Sequence, residues 1–116
     1  MKINKELIKG STELLVLSLL RDDSMYGYQM IKELEQRSEG TFSFKEGTLY
    51  PILHNLENKG MVKSRWDKGN GNRKRKYYEL TKKGKKSMNE KKEEWRVFKC
   101  AVDKMVWRDS SGLDEI

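Results

Sequence analysis

Only one histidine, His54, and one cysteine, Cys100, occur in this chain of 116 residues, and that scarcity limits the chemistry open to it. A usual zinc site draws its ligands mainly from those two residue types, and an internal disulfide needs a second cysteine, so metal and disulfide scaffolds are both excluded. Nucleophilic catalysis by a Ser/His or Cys/His pair would have to use His54 as its base, yet the pattern around His54 turns it onto the outward face of a helix. Carboxylates and tyrosines remain, without the convergent set that a catalytic site requires, so the chain is read as a non-enzyme without metal or cofactor.

Positive charge, in contrast, is abundant and concentrated. From Lys63 to Lys86 there are eleven basic residues and two acidic ones, a net +9, while the other 92 residues hold 14 basic and 16 acidic. A local excess of this kind is either a solvated run or a phosphate-contacting surface. Trp66, Tyr77 and Tyr78 favour the second, because disordered basic tails seldom carry three aromatics. A folded hairpin must pack them, and Trp66 with at least one of the two tyrosines is expected inside its face.

The elements that must position this surface follow from periodicity. Apolar residues between Asn4 and Leu20 imply a buried first helix. Arg21 to Ser24 is a turn, and Ser24 is a candidate N-cap for a second helix to about Arg37, with Gly27, Met30, Ile31 and Leu34 inward. In the third helix Leu49, Ile52, Leu53 and Leu56 form one stripe, which turns Gly47, Pro51, His54 and Asn58 outward, flanked by Thr48, Tyr50 and Asn55. That outer face is polar but almost uncharged, as suits base edges and phosphates better than plain solvent. Its start has two readings: Ser43 and Glu46 have capping-box spacing, whereas Pro51 cannot donate to the Gly47 carbonyl, so the helix is kinked or becomes regular near Thr48. Gly60 suits a left-handed C-terminal cap.

Beyond Gly60, Val62, Ser64 and Trp66 alternate with Lys63, Arg65 and Asp67; residues 67–72 are dense turn chemistry, and Arg75 to Leu80 return. This is a two-stranded hairpin with a basic tip, followed by Thr81 as the N-cap of a last helix. Three helices and a hairpin give a winged helix-turn-helix order, mainly α with a small β-hairpin, in which the third helix enters the major groove and the wing meets the backbone. Thr48, Tyr50, His54 and Asn55 are the expected groove contacts, and Lys68, Arg73, Lys74 and Arg75 the expected wing contacts.

The last helix carries Trp95, Phe98, Val102 and Met105 at spacings of 3, 4 and 3, one heptad after Met88. Too little chain follows to bury that seam internally. With 35% of residues hydrophobic and 37% charged, a monomer buries a modest core and gains from oligomerisation. A dimerisation helix pairing with its copy therefore competes with a helix folded back on its own domain, and the dimer is preferred because such readers bind two half-sites through two-fold symmetry. The expected division is a DNA-binding domain at 1–81, a dimerisation helix at 82–108 and a disordered tail at 109–116. No apolar run approaches bilayer-spanning length and the first residues are too polar for a signal peptide, so a cytoplasmic protein is expected.

Gly47 to Val62, followed by Arg73 to Gly84, resembles the signature of PadR-like transcriptional regulators, and Tyr26-Gly27-Tyr28 matches that family's entrance to the second helix. The resemblance covers roughly Leu7 to Met105 and is similar to the short subfamily that includes multidrug-sensing repressors. It implies a homodimeric repressor on a palindromic operator in double-stranded DNA. It also implies a planar aromatic effector at the dimer centre, held by Trp95 from each last helix, with Leu7 and Leu14 on the walls. Lys99 stands where drug-binding members can present an acidic residue, which removes the counter-charge for a cationic ligand. The alternatives are a winged module that binds ligands or proteins without specific DNA binding, and an RNA-binding protein with aromatics exposed for stacking.

Overall fold

The computed structural model describes residues 3–68 and 73–108. In chain order these form α1 (Lys5–Lys9), α2 (Thr12–Leu19), β1 (Met25–Tyr26), α3 (Gly27–Arg37), α4 (Glu46–Asn58), β2 (Val62–Asp67), β3 (Arg75–Leu80) and α5 (Lys82–Val106). The expected hairpin tip at 69–72 and tail at 109–116 lie outside the described residues. The stripe Leu49, Leu53 and Leu56 of α4 meets Leu17 of α2 and Met30 of α3 in one core, closed by Val62 and Tyr78 from the sheet and Met88 from α5. Leu17, Leu53 and Leu56 are fully buried, each worth about 1.5–3 kcal/mol relative to exposure.

Three local expectations are corrected. The first helix is broken into α1 and α2 at Gly10-Ser11, where the Ser11 amide closes a turn on the Ile8 carbonyl at 2.8 Å; glycine followed by serine and threonine is a poor helix interior. Ser24 caps nothing: the chain extends through β1, which pairs antiparallel with β3 (Met25 opposite Tyr78, Tyr26 opposite Tyr77), so the sheet has three strands in the order β1-β3-β2. A two-residue strand is too short to leave a period in the sequence. Ser43 forms no capping box, because its hydroxyl donates to Glu35 at 3.2 Å and Lys45 occupies the cap of α4. The helix is regular from Glu46 and runs through Pro51.

Other signals hold in detail. Gly60 adopts φ +76° after α4, as a left-handed cap requires. Thr81 caps α5 by accepting from the Gly84 amide at 3.0 Å, and its hydroxyl donates to the Gly60 carbonyl at 2.6 Å, tying the end of α4 to the start of α5. Gly84 is obligatory at that junction, since a Cβ there would lie 1.9 Å from the Met61 carbonyl oxygen. Beyond Met88, α5 leaves the core and projects. The chain measures 67 × 30 × 21 Å with a radius of gyration of 17.5 Å, against about 13 Å for a compact domain of roughly this size.

Candidate nucleic-acid interface

The outward face of α4 is a shallow groove lined by Tyr50, Pro51, His54, Asn55 and Asn58, with Thr48 also exposed. Tyr50 is held by α3: its ring lies over Gly27 so closely that a Cβ on Gly27 would meet the Tyr50 hydroxyl at 2.5 Å. Gly27, at the centre of the Tyr26-Gly27-Tyr28 sequence, thus leaves the space in which the Tyr50 ring rests. Partial burial, then Glu46 and Tyr78, push the Tyr50 phenol above its ordinary range, so at neutral pH it keeps its proton and can donate as well as accept.

Asn55 is anchored rather than free. Its amide donates to Glu13 of α2 at 2.8 Å, and Lys59 and Lys91 approach the same carboxylate at 3.0 and 3.5 Å. One side chain of α2 therefore clasps both α4 and α5. Burial alone would raise the Glu13 pKa, but the two lysines outweigh it and hold the carboxyl below its usual range. A pairing across 42 residues of sequence leaves no local signal, and Glu13 was not among the expected site residues.

The wing is fastened to α4 by a second acidic residue absent from the sequence expectations. Glu57 accepts from the Ser64 hydroxyl at 2.5 Å and lies 3.9 Å from the Lys76 ammonium. The outer face of the sheet is a ladder of cations over aromatics: Arg75 sits 4.5 Å from the Tyr26 ring and Arg65 5.2 Å from the Tyr77 ring, while the two rings meet edge to face at 5.5 Å. Lys68, Arg73, Lys74 and Arg75 are all exposed. Tyr78 fills the inner face at 6% exposure, as the aromatic content requires, but Trp66 does not join it: the indole is 65% exposed. The strand alternation is as expected; β2 simply continues past the helices that would have covered its end.

On α5, Trp95 is 44% exposed and packs against Phe98 at 6.1 Å between ring centroids. Phe98, Val102 and Met105 are exposed, and so are Val97, Val106 and Trp107, which widen the apolar face beyond the 3-4-3 seam. The Glu13–Lys91 pair sets α2 beside α5 one turn before Trp95. Leu14 is half-buried against the core and Leu7 is exposed. Lys99 is paired with Asp103 at 2.9 Å, and that hydrogen bond raises its pKa.

Three helices, a short strand and a two-stranded wing, with a neutral polar helix face beside a cationic hairpin, define a winged helix-turn-helix protein. The chain belongs to the transcriptional regulator PadR-like family, whose model matches residues 16–90, and members of that family are regulators rather than enzymes. A transcriptional regulator from Clostridium thermocellum superposes with a TM-score of 0.82 at 33% identity, covering 90% of this chain and 98% of its own. A PadR family regulator from Eggerthella lenta gives 0.78 at 36% identity, with 90% and 88% covered. Bacillus subtilis PadR, solved in complex with operator DNA, gives 0.63 at 25% identity over 68% of this chain and 44% of that one. No helix among the described residues is long and apolar enough to cross a membrane.

Proposed function

We propose that the protein is a homodimeric repressor that binds a palindromic operator in double-stranded DNA. The observation that carries this reading is the juxtaposition of an uncharged, hydrogen-bonding α4 face with an exposed cationic wing, fastened together through Glu57. Thr48, Tyr50, His54 and Asn55 read or position the groove, and Lys68, Arg73, Lys74 and Arg75 supply sequence-independent affinity through phosphates. Residues up to Thr81 act as the reader, and α5 pairs two readers through Trp95, Phe98, Val102 and Met105, setting half-sites about 34 Å apart. That the B. subtilis relative was solved in complex with operator DNA supports the DNA-binding part of this reading.

At the dimer centre a planar aromatic molecule inserts between the two copies of Trp95, with Leu7, Leu14 and Lys99 around it. Filling that space changes the separation of the two α4 helices and so releases DNA, because a ligand acts through its differential affinity for the two arrangements.

Fluorescence anisotropy on labelled duplexes tests the reader. Tyr50→Phe keeps the ring on Gly27 and removes only the hydroxyl, so operator affinity falls about fivefold, the worth of one hydrogen bond, with the fold unchanged. Replacing Arg73 and Lys74 by Ala weakens specific and random DNA alike and lowers the salt slope by about two. A wild type with no salt-dependent affinity for duplex DNA refutes the reading. Titrating planar aromatic compounds against wild type and Trp95→Ala tests the effector: equal affinity removes Trp95 from the pocket.

A further inference from the structure

The exposed indole of Trp66 is the one large aromatic of the wing that the fold leaves without cover. Along one face of β2, Val62 is buried at 2% exposure, Ser64 is held by Glu57 of α4, and Trp66 stands in the open at 65%. The three share that face by strand alternation, so the indole lies on the α4 side of the wing, beyond the reach of the helix. Directly across the ladder is Lys76, and Lys68, Arg73, Lys74 and Arg75 are exposed nearby in the same hairpin.

The acidic side chains of the two wing strands are committed, Asp67 to Arg65 at 3.1 Å and Glu79 to Lys63 at 3.9 Å, and so is Glu57 of α4, to Ser64 and Lys76. A surface that covers Trp66 must therefore be anionic around an apolar patch the size of an indole. A second copy of this hairpin fails that condition through like-charge repulsion. A deoxyribose wall flanked by phosphates meets it, and proteins that bind the minor groove do insert apolar side chains there.

We infer that Trp66 is a DNA-contacting residue of the wing, packing its indole on the sugars that border the minor groove beside the bases faced by α4. The inference rests on the DNA-binding reading above and adds to it an apolar, salt-independent contact inside a surface otherwise built of charge.

Salt dependence separates this contact from the cations around it. Anisotropy with a labelled random-sequence duplex of about 30 base pairs suffices, because the contact is to sugars and not to bases. Across a salt series, Trp66→Ala is expected to weaken binding about tenfold at every salt concentration while the slope of log Kd against log salt stays at the wild-type value. Trp66→Phe, which keeps a flat apolar ring, recovers most of the loss. The melting temperature of both variants stays at that of the wild type, since the indole is outside the core.

A Trp66→Ala protein that binds duplex as tightly as a wild type of normal salt slope overturns the inference and leaves the DNA-binding reading standing. So does a loss that comes with a reduced slope, or one confined to single-stranded RNA, which would point to base stacking. A wild type that binds no duplex defeats the reading itself and the inference with it.

Discussion

The two halves of α5 share one sequence period and end in opposite circumstances. From Lys82 to Met88 the helix is locked down: Thr81 bonds to the end of α4, Gly84 presses on the Met61 carbonyl, and Met88 is 3% exposed. From Trp95 to Val106 the same helix carries six large apolar residues in the open, among them Phe98 at 60% and Met105 at 79%, and Trp107 follows at its C-terminal cap. Amphipathic spacing states only that a face will be covered; whether the cover comes from the same chain depends on how far the core extends. Here the core stops at Met88, about two turns before Trp95, with the Glu13–Lys91 pair lying between them.

The most damaging substitution should fall in the locked half. Gly84→Ala places a methyl group against backbone that cannot swing aside, so a cost of about 3 kcal/mol or more is expected, read as a melting temperature lower by at least about 10 °C. A silent Gly84→Ala would show that the first half of α5 is as loosely held as the second.

In the open half, if α5 pairs with its copy as proposed, Phe98→Glu should leave the fold of the monomer intact and act on association. A two-fold interface receives each substitution twice, so sedimentation should show the dimer dissociation constant raised at least about 100-fold, roughly 2.7 kcal/mol. The melting temperature should at the same time lose its dependence on protein concentration. An unchanged oligomeric state would mean that this face is covered by something other than its copy.

Glu13→Gln tests the boundary between the halves and should have a smaller effect, below about 1 kcal/mol for partly exposed pairs. Its pH dependence has a definite sign. The Glu13 carboxyl is held below its ordinary 4.5 by Lys59 and Lys91 despite burial, so its stabilisation is present above that pH and is lost as pH falls through the lower folded value. Melting temperatures of wild type and Glu13→Gln should differ at pH 7 and converge as the pH is lowered below 4.5. A constant gap would assign the effect to packing instead of charge.

The smallest effect belongs to Lys99→Ala. Its bond to Asp103 is an exposed pair within one helix, and such pairs contribute little in water. No change in melting temperature is expected, and a measurable one would imply that the open face is less hydrated than a monomer allows.

Much that one element reports about itself was legible in the sequence, although the break at Gly10-Ser11 and the true caps of α3 and α4 were local features that its pattern did not reveal. The stripe Leu49, Ile52, Leu53 and Leu56 oriented α4 and with it Tyr50, His54 and Asn58; Gly60 and Thr81 marked the flanking caps; and the alternation through Trp66 placed the right residues on the right face of β2. Whatever depended on partners far along the chain was hidden. β1 has no period of its own and exists only because β3 is there to pair with it. Glu13 and Glu57 read as ordinary surface acids until the fold brings Asn55, Lys59 and Lys91 to the first and Ser64 and Lys76 to the second.

By itself, then, the sequence determined the winged order of elements, the concentration of charge between Lys63 and Lys86, and the apolar spacing of α5, because charge and periodicity are properties of neighbouring residues. Only the tertiary structure decided which apolar side chains would be covered. Tyr78 is enclosed and Trp66 is not, Met88 is enclosed and Trp95 is not, because burial is set by where the packed helices end, and that edge is drawn by contacts between residues distant in sequence.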